Sequence, residues 1–338
     1  MSPSINFISE FDSSIASFRS RILRLYEYIA SIQSNVGLND FDKDYDIVVI
    51  QKGNLHFLYE QFKKYKKEHK FIIFDIDDYH DNRHKFFIKH ADLVVVGSSF
   101  LKNIWHNLNK NIVVLDDPVD VYNPDIPLKK FKKHTFKKIG WFGNDSNLPA
   151  LQKTGLSGVT TITRNGDIEW SPETVDTNIQ KFDLIVLPQD IHSNCGAAKG
   201  NCRMLKALYL GIPVMVSDLP AYVDLANLVH YPSEFIVHDN ENWNQKLEHI
   251  RSLQYKFDFD FAKCRKTIID NYSFSARGKH WMELIMPYYI NRRKHFIKRI
   301  LFNLHTVEFF KKIRNGNKRT IILLGFIKIN YKKRVKNG

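Results

Sequence analysis

Residues 182–225, FDLIVLPQDIHSNCGAAKGNCRMLKALYLGIPVMVSDLPAYVDL, decide the fold. Leu184–Leu187 is a short apolar run, Lys199–Leu210 has helical spacing, and Val214–Ser217 is a second apolar run entered through Gly211 and Pro213. Two apolar strands joined by a helix are the repeating unit of a buried parallel sheet, whose strands are covered on both faces and lack polar alternation. Ligands of such sheets bind where the carboxyl ends of the strands open into loops, so the residues after each strand are the ones to read.

The same unit recurs in both directions. Upstream, apolar runs are expected as strands at Ile5–Ser9, Asp46–Ile50, Phe71–Phe74, Leu93–Val96 and Ile112–Leu115, with helices over Ile15–Ile32, Leu55–Lys67 and Phe100–Asn107 between them. A second series runs through Lys138–Phe142, Thr160–Thr163, Leu184–Leu187, Val214–Ser217 and Phe235–Val237, with helices over Lys199–Leu210, Tyr222–Leu228 and Asn242–Tyr255. Between the series, Pro118, Pro124, Pro127 and a run of lysines have the composition of a linker. A chain of 338 residues also exceeds what one core usually organises. The expected architecture is α/β: two Rossmann-like, doubly wound domains facing a cleft, over residues 1–120 and 138–290, joined by a linker at 121–137.

Charge marks off a last segment. Residues 291–338 hold 15 Lys and Arg against one acid, Glu308, whereas the first 290 residues hold 35 charges of each sign. Within this basic tail, Ile297, Ile300, Leu301, Leu304 and Val307 form an apolar stripe at helical spacing. A basic amphipathic helix of this kind suits an anionic membrane surface, and residues 319–334 suit a hairpin or interfacial segment around Gly325. Packing of the stripe on the second domain is the alternative. Nucleic acid is not expected as a partner, because the positive charge lies outside the cleft-forming domains.

Other classes are disfavoured. An aromatic content of 13% and hydrophobic content of 43% supply packed cores and exclude wholesale disorder. No stretch reaches the ~18 apolar residues of a membrane span, and the first residues lack the basic start and apolar run of a signal peptide. Cys195, Cys202 and Cys264 include no Cys-x-x-Cys pair, which argues against a disulfide framework or zinc site and for a reducing, cytoplasmic setting.

Four motifs sit after predicted strands. Lys199 and Arg203 lie four apart and are expected on one helix face near its positive end, followed by Ala207, Gly211 and Pro213. Ile139–Asn144, IGWFGN, ends a strand in Gly143 and Asn144, where glycine permits close backbone approach to a ligand; a tight turn with an Asx cap is the alternative. Ser17, Arg19 and Arg21 follow the first strand, and a capped helix start at Ser13 or Ser14 is the alternative there. Phe71–His80 runs into Asp77, Asp78 and His80, which can orient or deprotonate a hydroxyl, or cap a helix starting near Asp81. Ser98 reads as a helix N-cap, and Tyr222 follows the Gly-x-Pro strand.

These motifs resemble the GT-B glycosyltransferases of family 4 and related bacterial surface-polysaccharide transferases. The resemblance covers roughly residues 5–290 and is specific at 17–21, 75–80, 139–144 and 199–213. It implies transfer of a sugar from a nucleoside diphosphate to a hydroxyl of a lipid-linked or surface glycan, such as lipopolysaccharide or capsule, at the inner face of a bacterial membrane. It implies Gly143, Asn144, Lys199, Arg203 and Tyr222 on the donor side, with Lys199 and Arg203 on the diphosphate. Ser17, Arg19 and Arg21 would line the cleft, and Asp77, Asp78 and His80 would face the acceptor. No metal or other cofactor is expected, since cations and backbone N–H groups neutralise the leaving group. Many family members carry two glutamates eight apart where this chain has Ala198 and Lys206, so the resemblance does not assign the sugar. A catalytically silent module that binds a nucleotide or glycan as a scaffold is the rival reading.

Overall fold

The strands β1 (Ile5–Ile8), β2 (Val36–Leu38), β3 (Ile47–Gln51), β4 (Phe71–Ile76), β5 (Leu93–Val96) and β6 (Ile112–Val114) pair in parallel in the order β2-β1-β3-β4-β5-β6. The strands β7 (Ile139–Phe142), β8 (Val159–Thr163), β9 (Ile168–Glu169), β10 (Leu184–Leu187), β11 (Val214–Ser217) and β12 (Ile236–Val237) form a second parallel sheet in the order β12-β11-β10-β7-β8-β9. The computed structural model describes residues 2–79, 82–130, 136–253, 257–310, 313–315, 318–323 and 327–332, and side chains through residue 295 and at 297. The two Rossmann-like sheets are thus the α/β architecture expected from the apolar runs.

Burial explains why those runs were visible. Every residue of β1, β3, β4, β5, β7, β10 and β11 is buried, so each strand is mainly apolar, and its polar residues have defined partners. Asn6 in β1 donates to Asp40 O at 2.6 Å, and Ser9, just past β1, donates to Gln51 Oε1 at 2.7 Å. The strands not anticipated, β2 and β9, are short, sit at sheet edges and are only partly buried.

The segment between the sheets is tied to the second one. Asp176 accepts from the backbone N–H groups of Tyr122 and Asn123 at 2.7 and 3.1 Å, and Arg265 donates to Ile126 O and Pro124 O at 2.7 and 2.9 Å. After the second sheet the chain crosses back. Val119 N–H donates to Tyr272 O at 2.8 Å, and the ring of Trp281 lies 5.7 Å from that of Phe7 in β1. A Cβ on Gly278 would fall 2.0 Å from Tyr28 Cδ1, so the absence of a side chain at 278 sets the spacing between this helix and the first one.

Residues 1–282 and 283–338 form two separate compact units. The helix Phe274–Phe310 runs from the first into the second. The second also contains three antiparallel strands, β13 (Ile313–Asn315), β14 (Lys318–Leu323) and β15 (Ile327–Lys332), so the expected hairpin is present. Ile297 is exposed; the remainder of the expected apolar stripe, Ile300, Leu301, Leu304 and Val307, lies outside the described side chains. Among the described residues no helix is long and apolar enough to cross a membrane.

Candidate active site between two parallel sheets

Adjacent strands deliver adjacent loops. β3, β4, β5 and β6 are neighbours in the first sheet, and each is followed within two or three residues by a polar group or glycine: Lys52, Asp77 and Asp78, Gly97 and Ser98, and Asp116 and Asp117. These positions converge at the carboxyl edge, as the topology of an open parallel sheet requires.

A chain of ion pairs binds them. Lys52 Nζ lies 2.8 Å from Asp77 Oδ1 and is also paired with Asp78. Burial alone would lower the pKa of this ammonium, but Asp77 and Asp78 outweigh it and hold it above the usual lysine range. For Asp78, burial would favour the proton, yet Lys52 and Lys199 together hold its carboxyl below the usual carboxylate range. Neither Asp77 nor Asp78 caps a helix: the helix that follows is Lys85–His90, and it has no side-chain cap. His80 lies outside the described residues.

Arg21 forms a second, deeper knot. Its Nε and Nη2 meet Asp75 Oδ1 and Oδ2 at 2.8 and 2.9 Å, and Nη1 reaches Asp117 Oδ1 at 2.8 Å and Leu115 O at 2.9 Å. Burial raises the Asp75 carboxyl against the pull of Arg21, and it pushes Asp117 up to about 6. Arg19 is buried as well. It donates to Asp120 Oδ2 and Ser13 O at 2.8 Å each, and its guanidinium lies 5.1 Å from the centre of the Tyr122 ring. Both arginines turn inward rather than standing open on the cleft, because separate carboxylates meet each. They fall on a π-helical stretch, Arg19–Leu23. Ser17 is half-buried in the preceding turn, and neither Ser13 nor Ser14 supplies the cap, since the helix starts after Ile15 without one.

The second sheet contributes from the opposite side. The helix carrying Arg203 begins at Cys202, not at Lys199, so the two cations do not share a helix face. Lys199 stands instead in the turn between the short helix Asn194–Ala197 and Cys202–Tyr209, where Gly200 and Asn201 interrupt the helical run. Its Nζ lies 2.8 Å from Asp78 Oδ1, joining the loops of the two sheets. Ser98 Oγ donates to Ala198 O at 3.0 Å alongside, while also capping its own helix by accepting from Leu101 N–H at 3.4 Å.

Arg203 donates to Phe142 O at 3.3 Å and lies 5.7 Å from the Trp141 ring centre. A Cβ on Gly143 would come within 3.1 Å of both Arg203 Nη1 and the Trp141 ring. Glycine there is what allows the guanidinium to lie over the end of β7. Gly143→Ala is therefore expected to displace Arg203 from the end of β7 while leaving the thermal midpoint within a few degrees; a crystal structure of the variant and a melting curve check both. Asn144 is used locally, its Oδ1 accepting from Ser146 N–H at 3.0 Å as the Asx cap of the turn that follows. Tyr222 is fully buried, and burial raises its phenol against the influence of nearby Arg203.

The structure thus brings Asp77, Asp78 and Lys199 together, places Gly143 against Arg203 and Tyr222 near it, and sets Arg21 beneath the acidic loop. Lys52 and Asp117 were not among the sequence candidates, and Asp75 stood within the 75–80 motif without a role of its own. The signal was present: Lys52 comes directly after an apolar strand and before a glycine, and Asp117 follows β6 in the run LDDP. Lys206 is buried and pairs with Asp176 at 3.1 Å, on the same carboxylate that holds Tyr122 and Asn123.

No family model matches the chain, and no curated protein matches it in sequence. Solved structures do match in fold. HepE of Anabaena, solved with UDP and glucose, superposes with a TM-score of 0.58 at 10% identity over 85% of this chain and 100% of its own. The lipopolysaccharide outer core galactosyltransferase WaaB, in its apo form, gives 0.57 at 14% identity over 84% and 99%. Sucrose-phosphate synthase of Thermosynechococcus elongatus gives 0.59 at 9% identity over 86% and 100%. Two six-stranded parallel sheets in one compact unit, matched over nearly the full length of glycosyltransferase structures, give this chain the GT-B fold.

Proposed function

We propose that this chain is a glycosyltransferase that moves a sugar from a nucleoside diphosphate to a hydroxyl of a lipid-linked or surface glycan of the lipopolysaccharide or capsule kind. The observation that carries the reading is the placement of two cations at the carboxyl end of the second sheet, Lys199 against Asp78 of the first sheet and Arg203 over the end of β7. A departing diphosphate gains negative charge as the glycosidic bond breaks, and fixed cations stabilise it without reorganising at that moment. The carboxylates on the opposite wall are suited to orienting, and in an inverting reaction deprotonating, the acceptor hydroxyl. Similarity of fold to HepE, whose structures hold UDP, UDP-glucose or UDP with glucose, supports a nucleotide-sugar donor. The test is a screen of nucleotide sugars for transfer or hydrolysis; turnover of any of them supports the reading.

Binding of nucleotide with no turnover of any donor would favour a scaffold module instead. The feature on that side is the pair Ala198 and Lys206 in the glutamate positions, with Lys206 committed to Asp176.

The basic tail supports work at an anionic membrane on the cytoplasmic side, reached through residues 292–338. Full-length protein is expected to float with liposomes containing anionic lipid, and a chain ending at 291 to remain behind; equal flotation of the two would contradict the tail's role.

A further inference from the structure

We propose that Asp78 holds Lys199 as an internal substitute for the donor's diphosphate, so that donor binding exchanges one anion for another and leaves Asp78 open on the acceptor wall. The inference rests on the diphosphate reading of Lys199 and adds a competitor for it.

Three observations carry it. Lys199 Nζ and Asp78 Oδ1 are 2.8 Å apart although they stand on opposite sheets, and Asp78 is the carboxylate that Lys199 meets among the described residues. The two oxygens of Asp78 are divided: one faces Lys199, the other Lys52. Finally, the two bonds differ in accessibility. The Lys199 side chain is 35% exposed and that of Asp78 29%, whereas that of Lys52 is 10% exposed and also anchored on Asp77. The outer pair is open to an incoming anion and the inner pair is fixed.

Charge makes the exchange workable. The groups facing Asp78 are Lys52 after β3, Lys199 from the second sheet, and Asp77 on its own loop; Arg21 with Asp75 and Asp117 lies behind. When a diphosphate takes Lys199, Asp78 keeps Lys52 and is not left as a bare charge. Its carboxylate nevertheless loses one of two ammonium partners, which makes it more basic at the moment the donor is in place. Meanwhile Ser98 and Ala198 keep the two loops together through a bond that involves neither charge.

Replacing Asp78 should therefore tighten nucleotide binding while harming transfer. A partly exposed ion pair competing for Lys199 reduces apparent affinity about three- to fivefold, and Asp78→Asn removes both the competition and the repulsion. Calorimetric titration of the full chain with UDP, GDP and ADP at low salt is expected to give a dissociation constant about three- to fivefold lower for Asp78→Asn than for the unaltered chain. Lys199→Ala is expected to bind more weakly than either. The gain should shrink in high salt. Equal or weaker binding by folded Asp78→Asn, with the unaltered chain still binding, overturns the exchange and leaves the transferase reading standing. Failure of every form to bind any of the three nucleotides overturns the transferase reading and the exchange with it. Side-chain ammonium NMR of the unaltered chain gives a second test that needs no folded variant at 78. With saturating nucleotide the Lys199 signal, assigned through Lys199→Arg, should move and that of Lys52 should not; a static Lys199 signal contradicts the exchange.

Discussion

Lys199→Ala is expected to reduce sugar transfer about 100-fold, and Arg203→Ala by a similar factor, with the double variant losing little more than the worse of the two. Removing one preorganised group that stabilises transition-state charge typically costs 100- to 1,000-fold, or about 3 to 4 kcal/mol. On the proposed reading both cations address the same diphosphate, so their effects are not independent and should not add. The split between binding and turnover tells the two apart. Lys199 is engaged by Asp78 in the free protein, so its loss also removes a contact between the sheets; Arg203 lies over the end of β7, and its loss leaves that contact intact. Steady-state kinetics on the donor found in the screen, with melting curves to verify folding, checks this. Wild-type turnover in either variant would remove the cations from the chemistry.

The second large effect is on stability. Arg21→Ala is expected to destabilise the 1–282 unit by about 3 to 5 kcal/mol, because it strips the partner from buried carboxylates. Arg21 and Asp75 side chains are 1% and 3% exposed, so water cannot take the guanidinium's place. The pH dependence follows. Burial already raises the Asp75 and Asp117 carboxyls, and without Arg21 their folded-state pKa values rise further. The folded variant then binds protons that the unfolded chain has released, so its stability falls as pH rises from about 4, and the deficit against wild type is larger at pH 7 than at pH 5. Denaturant melts at the two pH values measure it. Arg21→Lys should recover only part of the loss, since a lysine cannot make the two-pronged contact with Asp75 and reach Asp117 as well.

These expectations divide along the line between what the sequence carries locally and what topology assembles. Strand positions were legible because a strand buried on both faces must be largely apolar, which is why Leu93–Val96 or Leu184–Leu187 can be located by inspection. β2 and β9 escaped because an edge strand of two or three residues, paired on one side, needs no such run. The positions of Asp77, Asp78 and Lys199 were legible as residues following strands. Their partnership was not, because it links residues 121 apart through the meeting of two sheets. The same holds for Arg21, whose partners come from β4 and the loop after β6. The expectation that Lys199 and Arg203 share a helix face failed for a local reason: Gly200 and Asn201 delay the helix until Cys202, and Lys199 is left on the turn.

A crystal structure of the chain with the nucleotide that binds it in the titrations is the most direct test. It should place the phosphates within hydrogen-bonding distance of Lys199 Nζ and the Arg203 guanidinium, near Gly143, with Lys199 withdrawn from Asp78 and Lys52 still holding it. Phosphates bound away from the carboxyl ends of β7 and β10, with Lys199 and Asp78 still paired, would contradict it.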